Sequence, residues 1–221
     1  MGRIIAIGDI HGCCKTFKAL LYKGIKLKKS DEVYCLGDYI DRGPDSKGVV
    51  DLILDLRKMG YKIHTLKGNH EQMMMYAELD KRNNENWMKN GGDITKESFS
   101  VTKFSKMEKK YRKFFNGTEM YIEKDNFIFV HAGLDFSNED IFENLDAMLW
   151  QRRMEVSEEK LRGRKIIHGH TIKPLAEIVD QLGTEVINID GGCVYKHIPN
   201  YGNLVAIDLT NNKIISIRCL D

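Results

Sequence analysis

Four apolar runs in this chain end in a glycine beside a residue that can hold a metal ion, and a fifth ends in such a residue two positions before a glycine. Asp9 follows Gly8 and precedes His11, Asp38 follows Gly37, and Asn69 and His70 follow Gly68. His131 stands before Ala132-Gly133, and His170 follows Gly169. Carboxylate, amide oxygen and neutral imidazole together suit Mn, Fe or Zn better than Ca or Cu(I). Asp9 and His11 lie two apart, so on an extended segment both side chains can turn the same way. The carboxylate of Asp38 could bridge two ions. The six groups Asp9, His11, Asp38, Asn69, His131 and His170 are more than one ion usually takes from protein. Two divalent ions about 3.5–4 Å apart can clamp a phosphoryl group and generate hydroxide near neutral pH. The set therefore points to a two-metal hydrolase. One Gly-Asp or Asn-His pair alone is ordinary turn material; recurrence at successive run ends carries the reading.

Positioning these groups requires a particular order of elements. The apolar, β-branched run 3–7 reads as a buried strand, as do 33–36 and 61–66. Between them, Phe17, Leu20, Leu21 and Ile25, and then Val49 to Leu56, have helical spacing. This β-α-β-α-β order favours a parallel sheet with right-handed crossovers. Ligands of such sheets sit beyond the carboxyl ends of the strands. Residues 71–116 read as mostly helical, 127–130 as a strand and 135–162 as a polar, helical stretch. Strands at 165–168, 186–190, 203–209 and 213–218 close the chain. The whole predicts an α/β fold of two packed sheets with flanking helices, as one domain over 1–221 with a mostly helical insertion around 71–120.

Composition narrows the function classes. The 221 residues are 42% hydrophobic and 30% charged, which excludes disorder for most of the chain. Thirty-four Lys+Arg against 32 Asp+Glu leave a formal charge of +2, too little for a nucleic-acid binder that works by a concentrated positive field. No apolar run approaches a membrane span, and the first residues turn polar too soon for a secretory signal. The five cysteines, Cys13, Cys14, Cys35, Cys193 and Cys219, include no C-x-x-C pair, so neither a zinc ribbon nor a redox dithiol is expected. A reduced, cytoplasmic protein with structural thiols is the expectation. Cys13, beside His11, is the thiol placed for oxidation, with structural filler the preferred reading.

Three blocks carry a resemblance: Gly8-Asp9-Ile10-His11-Gly12, Gly37-Asp38-Tyr39-Ile40-Asp41-Arg42-Gly43 and Gly68-Asn69-His70-Glu71. Together they resemble the calcineurin-like metallophosphoesterases, with the four-layer α/β/β/α sandwich of that family. The Asp-Arg-Gly form of the second block is similar to the phosphoprotein phosphatases. Trp87 to Gly92, Trp150-Gln151-Arg152 and Gly169-His170-Thr171 resemble their small bacterial and phage branch, that of the bacteriophage lambda protein phosphatase.

The resemblance implies that Asp9, His11 and Asp38 hold one metal, and Asp38, Asn69, His131 and His170 a second. A bridging hydroxide would attack phosphorus, His70 would protonate the leaving oxygen and Asp41 would orient it. Arg42 and Arg152 would grip the phosphoryl oxygens. Two divalent ions are implied, Mn2+ first, with Fe or Zn as alternatives. The expected reaction is hydrolysis of phosphate monoesters, on phosphoserine or phosphothreonine of a phosphoprotein. A symmetrical bis(5'-nucleosyl)-tetraphosphate hydrolase, acting on a phosphorylated small molecule, is the alternative. An inactive metal-binding scaffold is the rival from another class, and it requires a missing ligand. Neither nucleic acid nor membrane is an expected partner.

Other candidates have plainer readings. His168 is second choice to His170, and Arg153 reads as a solvated charge beside Arg152. His64 and His197 match no block. Met73, Met74 and Met75 read as a packing face. The basic stretch 103–113 reads as the solvated side of an amphipathic helix, because Phe104, Met107, Tyr111, Phe114 and Phe115 give it an apolar stripe.

Overall fold

The β-branched runs form strands whose successive residues enter different layers, as the period of two requires. In β1 (Ile4–Ile7), Ile5 and Ile7 pack toward helices, while Ala6 faces a second sheet. In β2 (Glu32–Cys35), Val33 and Cys35 share the helix side with Ile5, and Tyr34 faces inward. The structure, a computed structural model, describes residues 2–221.

One sheet has the order β3-β2-β1-β8-β9, with β3 (Lys62–Thr65), β8 (Asn203–Asp208) and β9 (Lys213–Arg218). The first three strands are parallel, in a register that sets Ile5 against Val33 and Val33 against Ile63. The second sheet has the order β4-β5-β6-β7, from β4 (Tyr121–Lys124), β5 (Phe127–Val130), β6 (Lys165–His168) and β7 (Val186–Asn188). Here β5, β6 and β7 are parallel. Between the sheets lie Ala6, Tyr34, Leu36, Phe129, Ile167, Ile187 and Val205, all buried. Ile128, Val130 and Ile166 turn to the outer side and pack under Leu134, Phe136 and Met148. The result is the expected sandwich of two sheets between outer layers.

The helices follow from apolar spacing and caps. A helix α1 (Cys14–Ala19) runs into a wider π-helical turn, Leu20–Ile25. Next, α2 (Ser46–Lys58) buries Val49, Val50, Ile53 and Leu56 and is capped by Asp45, whose carboxylate accepts from the Gly48 amide at 2.8 Å. The helical stretch after β3 is broken into α3 (Asn69–Tyr76), α4 (Lys81–Lys89), α5 (Gly92–Phe99) and α6 (Lys109–Asn116). Asp80 caps α4, and Gly91 and Ser100 bound α5 in left-handed conformations. Met73 and Met74 are buried, as a packing face requires, and α6 buries Tyr111, Phe114 and Phe115 beneath its lysines.

Three elements differ from the sequence reading. Residues 135–162 are mostly irregular, with only α7 (Leu145–Trp150) and α8 (Glu158–Leu161), because Asp135 and Asn144 use their side chains in turns and caps. The strand β4 forms an antiparallel hairpin with β5 where no strand was expected. A short α9 (Leu175–Asp180) follows Pro174 and precedes β7. Among the described residues no helix is long and apolar enough to cross a membrane.

Candidate metal centre and active site

Both sheets end their parallel strands at one edge, and the polar residues follow directly. Asp9 and His11 come after β1, Asp38 after β2, and Asn69 and His70 after β3. His131, His170 and Asp190 come after β5, β6 and β7. The glycines permit the approach: a Cβ on Gly68 would stand 2.0 Å from Asp38 Oδ1, and one on Gly169 would stand 2.1 Å from Asp9 Oδ1.

Asp38 is the hub. Its Oδ2 lies 3.5 Å from His11 Nε2 and 3.9 Å from His70 Nε2, and its Oδ1 lies 3.6 Å from His131 Nε2. His11, Asp38 and His70 form one potential ligand group, and Asp38, His131 and His170 another, so the carboxylate belongs to both. Asn69 Oδ1 is 3.0 Å from His131 Nε2 and 3.0 Å from His170 Nδ1. The His170 amide donates to the Asp9 carboxylate at 3.1 Å. His11, Asp38, Asp41, Arg42 and His170 have φ of 46, 50, 68, 69 and 68°. Left-handed conformations cost non-glycine residues on the order of 1–3 kcal/mol each and gather at functional sites.

Tautomers decide what these imidazoles can bind. His131 Nδ1 sits 2.8 Å from the Leu36 carbonyl, and His11 Nδ1 sits 2.9 Å from the Ile40 carbonyl. A carbonyl only accepts, so Nδ1 carries the proton and Nε2 holds a lone pair. The His131 lone pair then faces Asn69 Oδ1, also an acceptor, or else the amide is turned over. A cation between them satisfies both. Burial lowers the His131, His11 and His170 imidazole pKa values, the last to about 3, and so favours the neutral form in which an imidazole can hold a metal ion. His170 Nε2 is buried without a hydrogen-bond partner.

The carboxyls complete the picture. Burial pushes Asp9 well up, with Asp190 and Asp38 adding repulsion. Burial also raises Asp190 to about 6 and Glu71 to about 8. Burial opposes ionisation of Asp38 too; positive charge at the surrounding imidazoles, His131 first, draws it the other way, and a bound cation would supply that charge where the imidazoles are neutral. Several carboxyls and neutral imidazoles crowded in a buried place fit divalent cations, which reverse the local sign.

A second motif sits beside the hub. His70 Nδ1 is 2.6 Å from Asp41 Oδ2. Asp41 also accepts from Trp87 Nε1 at 3.0 Å and from Thr95 Oγ1 at 2.6 Å. With Nδ1 donating to Asp41, His70 Nε2 faces Asp38. Arg42 places Nη1 2.8 Å from His11 Nε2 and lies over the Tyr195 ring at 5.6 Å.

Thus Asp9, His11, Asp38, Asp41, Arg42, Asn69, His70, His131 and His170 are brought together. Arg152 is exposed at the rim, near enough for its charge to oppose protonation of His170. His168 is buried but joins neither ligand group. His64 stacks on Tyr34 at 4.7 Å and His197 is exposed, both away from the cluster.

Sequence reasoning left four supporting residues without a role. Glu71 accepts from the Asp38, Tyr39 and Gly68 amides, each at 2.9 Å, and so ties the second block to the third. Trp87 and Thr95 hold Asp41. Asp190 stands close enough to Asp9 to oppose its ionisation and accepts from the Gly192 amide at 2.9 Å. The signal for Glu71 was its place in the third block, and for Trp87 its isolation as an indole among polar residues.

Trp87→Phe keeps most of the volume but removes a donor from buried Asp41. An unfolding free energy lowered by about 1–3 kcal/mol in urea titration is expected, together with slower turnover as His70 loosens.

Comparisons with known proteins identify the chain's family. The chain is 38% identical over 86 residues to a symmetrical bis(5'-nucleosyl)-tetraphosphatase of Buchnera aphidicola, a match covering 38% of this chain and 30% of that protein. It is 36% identical over 87 residues to serine/threonine-protein phosphatase 1 of Salmonella typhimurium, covering 39% of this chain and 38% of that one. These two matches therefore span less than two fifths of the relatives' length. The asymmetrical bis(5'-nucleosyl)-tetraphosphatase PrpE of Oceanobacillus iheyensis is 27% identical over 223 residues, covering 87% of this chain and 85% of that protein. A solved structure described as a putative diadenosine tetraphosphatase superposes with a TM-score of 0.71 at 22% identity, covering 100% of this chain and 95% of the other. That last likeness shows the fold. The family model for calcineurin-like phosphoesterase matches residues 2–209, and the chain belongs to that family.

Proposed function

We propose that this phosphoesterase hydrolyses bis(5'-nucleosyl) tetraphosphates with two divalent ions at the strand-end cluster. The observation that carries the chemistry is Asp38, whose two carboxylate oxygens lie 3.5–3.9 Å from imidazole nitrogens delivered by three other segments. The substrate reading rests on relatives. The likeness to PrpE runs through most of both chains, and the Buchnera relative bears a tetraphosphatase name too.

Asp9, His11 and Asp38 would hold one ion, and Asp38, Asn69, His131 and His170 the other. The ions, with Mn2+ the first choice, supply a nucleophilic hydroxide and neutralise charge on the phosphoryl group. The protein's own groups do the rest. His70, aligned by Asp41, presents Nε2 to the leaving oxygen as a proton donor. Asp41 in turn is fixed by Trp87 and Thr95. Arg42 and Arg152 offer planar guanidinium forks that match phosphoryl oxygens. Arg42→Ala should raise KM for any phosphoester about 10-fold or more, in line with loss of a charged hydrogen bond worth about 1.5–3 kcal/mol. Steady-state kinetics at fixed manganese measure it.

A second reading, phosphoserine or phosphothreonine phosphatase, is favoured by the likeness to the Salmonella enzyme. The experiment is a side-by-side turnover test at equal enzyme and manganese. Diadenosine tetraphosphate, phosphoserine and phosphothreonine peptides and a phosphotyrosine peptide are compared. The proposal expects the highest kcat/KM on diadenosine tetraphosphate, and product analysis shows which bond is cut. Faster turnover of phosphopeptides would replace it with the second reading.

A further inference from the structure

Three of the five cysteines meet behind the centre although they are far apart in the chain. The Sγ atoms of Cys13, Cys193 and Cys219 all lie within 4.8 Å of one another, and Cys13 and Cys219 are 3.9 Å apart. Tetrahedral zinc with Zn–S of about 2.3 Å places its sulfurs about 3.8 Å apart. A disulfide needs about 2.05 Å, so pairing would require a sulfur to move by nearly its own radius. The trio has almost the spacing of ligands around a shared ion.

The surroundings suit such an ion. Cys13 and Cys193 are each only 1% exposed, and Cys219 is half-buried, which leaves an entry side. The segment carrying Cys219 is held in place by neighbouring contacts. Its amide donates to the Gly202 carbonyl at 2.8 Å, and Leu220 N donates to Thr16 Oγ1 at 2.8 Å. The Asp221 carboxylate accepts from the Lys15 and Thr16 amides at 3.0 and 2.9 Å. Little ordering remains to be done when the ion arrives. Thiolates are soft ligands that select Zn2+ or Cd2+ over Mn2+, so this place and the carboxylate-imidazole cluster would load different metals.

We propose that Cys13, Cys193 and Cys219 form a thiolate site for one soft metal ion, Zn2+ in type, separate from the phosphoesterase centre. Each thiol gives its proton to solvent as its sulfur binds. The ion would join three segments: the turn after β1 that leads from His11 to α1, the loop after β7 that carries Asp190, and the segment after β9.

Cadmium is the probe, because thiolate-to-cadmium charge transfer absorbs in the ultraviolet whereas carboxylate and imidazole ligands give no such band. Reduced full-length protein, saturated with manganese, is titrated with Cd2+. The expected result is a band that saturates at one Cd2+ per chain and is displaced by Zn2+. Cys219→Ser and Cys193→Ser should each weaken Cd2+ binding by more than about 100-fold, beyond the effect of an outer-shell change. Cys14→Ser should leave the band intact. Circular dichroism and manganese binding of each variant check the fold, and Cys219→Ser, at the half-buried position, is the gentlest. No band in the reduced protein, a band that survives Cys219→Ser, or a Cys13–Cys219 disulfide formed in place of metal binding would overturn the proposal. None of these outcomes depends on the substrate of the phosphoesterase centre.

Discussion

In Asp38→Asn, turnover of diadenosine tetraphosphate falls by about 10³-fold or more. The substitution keeps the shape but removes the charge to which both groups of imidazoles are turned. One oxygen lies near His11 and His70 and the other near His131, so no other residue can take over the hub. Loss of metal-derived charge stabilisation is worth several kcal/mol, and each 1.36 kcal/mol is a factor of ten in rate. Manganese bound per chain should fall along with the rate. Asp38 also accepts from the His70 amide at 3.1 Å, a contact that an asparagine oxygen can retain. The fold should therefore survive, and circular dichroism with a thermal melt checks that the loss is local.

His70→Asn has a different signature. Manganese binding stays near the native level while kcat drops, because His70 is tied to Asp41 and reaches Asp38 Oδ2 only at 3.9 Å. General acid catalysis contributes about 10²–10⁴-fold, and its share depends on the leaving group. A serine alkoxide needs a proton as it departs. A nucleotide phosphate or p-nitrophenolate needs it far less. The variant should lose about 10²-fold or more on a phosphoserine peptide and distinctly less on diadenosine tetraphosphate and p-nitrophenyl phosphate. Equal losses on all substrates would assign His70 to metal binding or structure instead. A native enzyme that prefers the tetraphosphate would thus be less dependent on His70 than a protein phosphatase of the same design.

Much of this site was legible because the parallel strands are short, apolar and β-branched, and each is followed within three positions by a glycine with a polar residue close by. That local pattern located β1, β2, β3, β5 and β6 and the candidate ligands that the fold gathers after them. Where two histidines competed, the fold separates them: His170 turns with a φ of 68° toward Asn69, while His168, still on β6, stays buried outside both ligand groups. The strand β4 was missed because Tyr121–Lys124 is an edge strand with Glu123 exposed, so its pattern lacks a buried run. The irregular 135–162 segment was misread as helix because its Asn and Asp side chains, which cap and turn the backbone, look like helix-surface polarity in sequence.

The supports of the site were harder to read for a different reason. Trp87 and Thr95 reach Asp41 from helices α4 and α5, more than forty positions away. Glu71 looks like a helix-start acid, yet its carboxylate is spent on three amides of two loops. The cysteines are the extreme case. Spacing rules look for pairs close in sequence, and Cys13, Cys193 and Cys219 meet only because β9 and the loop after β7 both return beside the start of α1.

The central claim is that two ions at the Asp38 cluster make phosphoester hydrolysis possible. It is tested most directly by measuring turnover of diadenosine tetraphosphate against manganese bound per chain, starting from metal-stripped protein. The account predicts no turnover without metal and a rise that levels off at two bound ions. Full turnover in the stripped protein, or a plateau reached with one ion bound, would contradict it.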